Sequence, residues 1–227
     1  MKRFLLLTLC VLSVFPFFAQ KNKFRPELYV GAGGGMIFSN VDFVPKVSQN
    51  THKGFQGGVS AKYISEKNLG LILEMNFLQC GWTEDYKNNP EYSYSRTLNY
   101  LEIPFMTHVY FGNKSRFIFN IGPQIGYLLS ESSSMSDALA EYIVQQSTDQ
   151  HAYAVPEERY ENASHKFDYG IIAGIGFALK TGIGDFDLEG RYYFGLGDIL
   201  NNRREDYYSR SAHRIIEAKL TYYLKLL

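Results

Sequence analysis

Ile216–Lys225 reads IEAKLTYYLK. Ile216, Ala218, Leu220, Tyr222 and Leu224 share one parity, and Glu217, Lys219, Thr221, Tyr223 and Lys225 share the other. A β-strand turns successive side chains to opposite faces, so this stretch has one apolar and one largely polar face. A soluble sandwich would press the apolar face onto a core, whereas a membrane barrel would press it onto lipid. One strand cannot choose between them, so the rest of the chain must.

Working toward the N-terminus, the same two-residue rhythm recurs near Asp185–Gly195, Phe167–Lys180, Phe117–Leu129, Leu98–Phe111, Leu69–Gly81, Gly54–Ser65 and Glu27–Phe38. Ile72 and Leu78 interrupt it locally, and Pro104, which lacks a ladder donor, reads as a bulge. Tight Gly-, Asn- and Ser-containing turns at Ser65–Asn68, Gly112–Ser115 and Thr181–Gly184 alternate with long connections near Ser39–Lys53, Trp82–Thr97, Ser130–Lys166 and Asp198–Ala212. Eight segments of about 9 to 11 residues or slightly more, joined by short and long connections in turn, predict an all-β fold: an eight-stranded antiparallel up-and-down transmembrane β-barrel with short periplasmic turns and long extracellular loops. Aromatic residues near the strand ends, such as Phe55, Tyr63, Tyr110, Phe117 and Tyr222, suit two interfacial girdles.

Met1–Ala19 carries Lys2 and Arg3 and then an apolar run ending before Gln20, the form of a secretory signal peptide with cleavage near Ala19. The run is too short for a comfortable helical span of about 20 residues. Cys10 lies in mid-run after Leu9, a poor lipidation signal. Residues 20–227 are then one barrel domain, with 21 basic residues against 23 acidic ones once Lys2 and Arg3 are removed. That balance gives no footprint for nucleic acid. Cys80 is left alone, so no internal disulfide and no multi-cysteine metal site is expected. A slightly negative mean hydropathy argues against a helical membrane protein but suits a barrel, in which only alternate residues meet lipid.

Inward parity places Lys62, Glu74, Glu102, Asp187, Glu189, Arg191, Glu217 and Lys219 in one lumen. An eight-stranded barrel is narrow enough to be filled by its own side chains, and a buried unpaired charge is costly. These residues are therefore expected to pair as a structural salt-bridge network, with Glu189 and Arg191 opposite Glu217 and Lys219. In the longest loop, Ala138, Leu139, Tyr142 and Ile143 have helical spacing, predicting a short helix over Met135–Gln146 with Ser136 or Asp137 as N-cap.

Catalytic residues are not expected. His108 points inward, and His52, His151, His165 and His213 fall in loops or at rims. A serine from Ser130 or Ser132–Ser134 could meet His165 and Glu131 as a nucleophilic triad, but solvated serine clusters are the commoner case. No spacing matches a familiar metal motif, and the glycines of Gly31–Gly35 lie within a strand rather than in a phosphate-binding loop. No cofactor is expected.

The stretches LNYLEIPFMTHVYF (Leu98–Phe111), FNIGPQIGYLL (Phe119–Leu129), DYGIIAGIGFA (Asp168–Ala178) and LEGRYYFGL (Leu188–Leu196) together resemble the PorT-like outer-membrane β-barrel family of Bacteroidetes, often labelled porin-family proteins. Tyr100–Pro104 and Gly122–Tyr127 carry most of the likeness. The resemblance implies an eight-stranded outer-membrane barrel without catalytic residues, and the family's namesake is linked to a type IX secretion and gliding apparatus. The expected role is thus a monomer in the cell outer membrane, with a plugged lumen, acting as a structural or binding component through its extracellular loops. Its partners would be outer-membrane lipid and an envelope or secretion-system protein. Two other readings stay open: an outer-membrane enzyme acting on lipid A or peptides at the outer rim, and a soluble lipocalin-like carrier.

Overall fold

The computed structural model describes residues 24–148, 157–203 and 206–227; the expected leader Met1–Ala19 and His151 lie outside the described residues. The elements in chain order are β1 (Glu27–Val44), β2 (Gln49–Asn50), β3 (His52–Glu66), β4 (Leu69–Glu84), β5 (Tyr94–Gly112), β6 (Ser115–Met135), α1 (Asp137–Thr148), a 3-10 turn (Glu157–Tyr160), β7 (Phe167–Thr181), β8 (Gly184–Gly195) and β9 (Arg210–Lys225). Each long strand pairs antiparallel with its neighbours in the order β1-β3-β4-β5-β6-β7-β8-β9, and β9 returns to β1. The eight long strands therefore close into a ring, which satisfies their backbone groups without an exposed sheet edge. β2 only extends the rim by pairing with the end of β4.

The facing of the strands follows the alternation. Val59, Ile171 and Leu220 are 59%, 48% and 52% exposed on the outside, while Lys62, Arg191 and Lys219 are 4%, 2% and 1% exposed within. Large lumen side chains stand across the ladder from glycines: Lys219 from Gly35, Arg191 from Gly174, Glu189 from Gly176 and Glu102 from Gly126. A Cβ at Gly35 would lie 1.9 Å from the Ala218 carbonyl oxygen, and one at Gly174 would lie 2.8 Å from Arg191 Cγ. Small beside large is how a narrow barrel fits long polar side chains inside itself.

Three expectations are corrected. Pro104 is not a bulge: the alternation runs through it, Pro104 pairs with Gln124, and the register shift between β5 and β6 falls at Asn99/Tyr100. Ile72 and Leu78 do not disturb their strand; both are fully buried inward-facing residues. The strands at the long-loop end also outrun the expected boundaries, since β1 continues to Val44, β4 to Glu84, β6 to Met135, and β5 and β9 begin at Tyr94 and Arg210. The physical reason is a reversal of polarity along the barrel. On the short-turn side, apolar side chains face out, and inside lie the charged residues and, at the turns themselves, a small buried cluster of Tyr29, Ile64, Tyr110, Ile118, Ala178 and Tyr223. Beyond Phe38, Leu78 and Ile216, Val41, Phe43, Cys80, Trp82, Tyr94 and Leu98 form a buried apolar core inside, while Asn40, Asp42, Thr83, Ser95 and Thr97 turn outward. The upper barrel is thus organised like a water-soluble protein, with strands as long as the 21 residues of β6 against the 9 to 11 that cross a bilayer.

Loops close this upper storey. α1 starts two residues later than the expected Met135, with the Ser136 carbonyl accepting from the Leu139 and Ala140 N–H groups. The Ser136 hydroxyl instead accepts from Ser93 N at 3.0 Å, fastening the helix to the β4–β5 loop. Leu139 is buried in the core, and Met135 and Ile143 pack against that core. Ile199 and Leu200 belong to the same core, and the Ile199 carbonyl accepts from Ser164 and His165 N–H groups at 3.0 and 3.1 Å.

Candidate functional site

Two polar assemblies stand out, one inside the barrel wall and one on its loop-covered end. Inside, Arg191 of β8 donates from Nη1 and Nη2 to both oxygens of Glu74 on β4 at 2.8 and 2.9 Å, and from Nε to Glu189 at 3.1 Å. Lys219 Nζ donates to Glu74 at 2.6 Å and to Asn76 Oδ1 at 3.1 Å. Asn120 donates to Glu189, and its own oxygen meets His108 Nδ1 at 2.7 Å. Nearer the short turns, Lys62 donates to Asp187 at 2.8 Å and sits 3.8 Å from the Tyr223 ring centroid. Two members of the expected network depart from it. Glu217 is held by the Gln56 amide at 2.8 Å rather than by a cation, and Glu102 has no salt bridge among the described residues. Five carboxylates and three cations cannot pair one to one. Neutral Gln56, Asn76, Asn120 and Tyr223 supply part of the bonding; they lie on the same inward parity, but only the tertiary pairing shows which carboxylate or cation each meets.

The serine, histidine and carboxylate candidates do not converge. Ser130 accepts from Asn99 on the outer wall at 3.0 Å. Glu131 points the other way, accepting from Ala163 N at 3.1 Å and lying 3.5 Å from Arg96. His165 contributes a backbone bond to Ile199. The thiol of Cys80 lies 3.9 Å from His213 Nδ1, but both are fully buried. No metal-binding group of His, Cys, Asp and Glu exists among the described residues.

On the loop-covered end, Glu84 at the tip of β4 accepts from Arg159 Nε at 2.7 Å and from the Tyr86 hydroxyl at 2.5 Å. Arg159 also donates to the Tyr208 and Tyr160 hydroxyls at 2.9 and 2.7 Å, and the Tyr160 and Tyr86 hydroxyls are 3.0 Å apart. Since the Tyr86 proton goes to Glu84, Tyr160 donates to Tyr86, and the bonds close into a ring. Burial pushes the Tyr86 hydroxyl well above its ordinary value, with the Glu84 carboxylate adding to it. Burial also raises Tyr160 and Tyr208. Burial works against the Arg159 charge, but Glu84 outweighs it and holds the guanidinium above its usual range. Arg96 completes the fastening by donating to the Tyr160 carbonyl at 2.8 Å and to that of Glu161. Beside this frame opens a cleft of about 270 Å³ between Pro45–Ser48, Glu84–Tyr86, Arg159 and Tyr207–Tyr208. The sequence reading missed it because its residues come from four separate connections.

Residues 18–201 match the outer membrane protein beta-barrel domain. The chain belongs to that family. As an outer-membrane barrel it turns its short connections to the periplasm, its loop-covered end to the cell exterior and its outward apolar belt to lipid. Among solved structures it is similar to the attachment invasion locus protein Ail of Yersinia pestis, in complex with the heparin analogue sucrose octasulfate. The identity is 11%, over 87% of this chain and 99% of that one, with a TM-score of 0.45. It is similar also to Neisserial surface protein A (15% identity, 88% and 97% covered, TM-score 0.45) and to OprG from Pseudomonas aeruginosa (8%, 87% and 96%, TM-score 0.43). No match was found among curated proteins.

Proposed function

We propose that this outer-membrane barrel is a sealed monomer without catalytic activity that serves as a binding component through its capped extracellular end, in contact with envelope or secretion machinery. The observation that carries the reading is the fixed cap: α1, Glu157–Tyr160 and Ile199–Leu200 are bonded into the mouth over a buried apolar core. A pore would keep a polar, wet mouth; among the described residues the mouth is lined instead by buried apolar side chains, which supports the sealed reading. The charged lumen supports a plugged wall over an apolar ligand cavity of the carrier type. The likeness of Tyr100–Pro104 and Gly122–Tyr127 to the PorT-like group supports the secretion-linked partner.

Two measurements test this together. A photoreactive residue in place of Glu141, on the exposed side of α1, is expected to give one discrete adduct with an envelope protein in whole cells, and the purified barrel in a planar bilayer is expected to show no steady conductance. Steady single-channel currents would overturn the sealed reading. An adduct between two copies of this chain would overturn the monomer, and the absence of any adduct would overturn the partner.

A further inference from the structure

The cleft beside the Arg159–Glu84 frame has a composition that selects among ligand chemistries. Lys46 and Arg159 bring two positive charges to its lining, and Glu84 and Asp85 bring two negative ones, so the site favours neither an anion nor a cation. Its polar groups are the Glu84–Arg159 pair, which its bonds to the tyrosines already occupy, together with Lys46, Ser48 and Asp85, which can meet neighbouring hydroxyls. Its other surface is aromatic. Tyr207 is 53% exposed at the edge, packed at 5.0 Å against the buried Tyr208. From Tyr86 a row of rings continues outward, Tyr86 to Tyr92 at 6.0 Å and Tyr92 to Tyr142 at 5.5 Å, reaching the exposed side of α1. Tyrosine gives a large rigid contact at low entropic cost, with an apolar face and a polar edge. The rings are set firmly because Tyr86 and Tyr208 are bonded to Glu84 and Arg159.

We propose that this cleft binds a neutral saccharide, one sugar ring seated at Glu84–Tyr86 and Tyr207 and a following unit lying along the Tyr92–Tyr142 row. The apolar face of a sugar ring stacks on tyrosine, while its hydroxyl edge meets Asp85, Lys46 and Ser48. A volume of about 270 Å³ lies just below the range of drug-sized ligand sites, which suits a single ring at the centre. This inference rests on the reading of the capped end as a binding surface.

The test is a panel of neutral hexose and N-acetylhexosamine oligosaccharides offered to the full barrel in lipid nanodiscs, read by saturation-transfer NMR and titration. Binding of one neutral class is expected, weakened at least tenfold by Tyr207→Ala and by Asp85→Asn and unchanged by Lys53→Ala on the outer wall. Heat-modifiable gel mobility of each variant confirms that it is folded, so loss of binding reads the cleft itself. Binding restricted to sulfated or phosphorylated glycans, binding indifferent to Tyr207→Ala and Asp85→Asn, or no binding to the panel would each overturn the proposal. If the panel fails while the Glu141 crosslink still captures an envelope protein, the saccharide is wrong and the binding surface stands; if both fail, both readings fall.

Discussion

Arg191 touches two carboxylates at once inside the barrel wall, and Glu74 in turn holds both Arg191 and Lys219. Such a buried cluster adds little net stability over an apolar replacement, yet removing one member leaves the others uncompensated, at a cost of about 3 to 5 kcal/mol. Arg191→Met is therefore expected to lower urea stability in lipid by about that much. Arg191→Met with Glu74→Leu should lose less than the two single variants summed, since their shared interaction is then removed whole. A midpoint unchanged in Arg191→Met would show that the cluster is not holding the wall. The positions of these residues are legible in the sequence, because period two alone sends Glu189 and Arg191 inward. Their partners are not: Glu74 and Arg191 are 117 residues apart, and nothing local tells Glu74 from Glu102 as the one that meets the guanidinium. Tyr100–Pro104 shows the same division, with Tyr100, Glu102 and Pro104 all inward by parity and the bulge displaced to Asn99/Tyr100 by the pairing with β6.

The cap is held by groups whose protons matter. Tyr86, Tyr160 and Tyr208 keep their protons more tightly in the folded cap than the ordinary tyrosine value of 10.0 would allow. Below that value both states are protonated and the cap keeps its full stability. Above it the unfolded segments release protons that the folded ones retain, so stability falls as pH rises. Protease cutting within 157–163 is expected to stay low up to about pH 10 and to increase beyond it, while the strands below remain protected. Cutting that is equally fast at pH 7 and pH 11 would contradict the network. α1 itself is readable from the spacing of Ala138, Leu139, Tyr142 and Ile143. The ordering of Glu157–Tyr160 is not, since it depends on Arg159 reaching Glu84, 75 residues away.

Across the molecule, two polarity patterns are stacked end to end. The lower storey is apolar outside and holds the charges inside, with a small aromatic and aliphatic cluster at the short turns, and the upper storey is polar outside and largely apolar inside. The change marks the outer edge of the lipid belt, so a charge should be costly below it and tolerated above it. Ile175→Arg and Leu73→Arg, near mid-belt, are expected to lose about 2 to 4 kcal/mol and much of their heat-modifiable folded form, whereas Thr97→Arg should fold as the parent does. Equal folding of all three would place the belt elsewhere. The sequence by itself determined the strand count, the facing of the lipid-exposed segments, the alternation of short and long connections and the inward charges, because side-chain parity and turn chemistry are local properties of the chain. Only the tertiary structure decided where the belt ends, which charges meet and that four distant connections enclose one cleft. A strand carries the same parity above the membrane as within it, and only closure of the ring shows whether its apolar face looks toward lipid or toward a core.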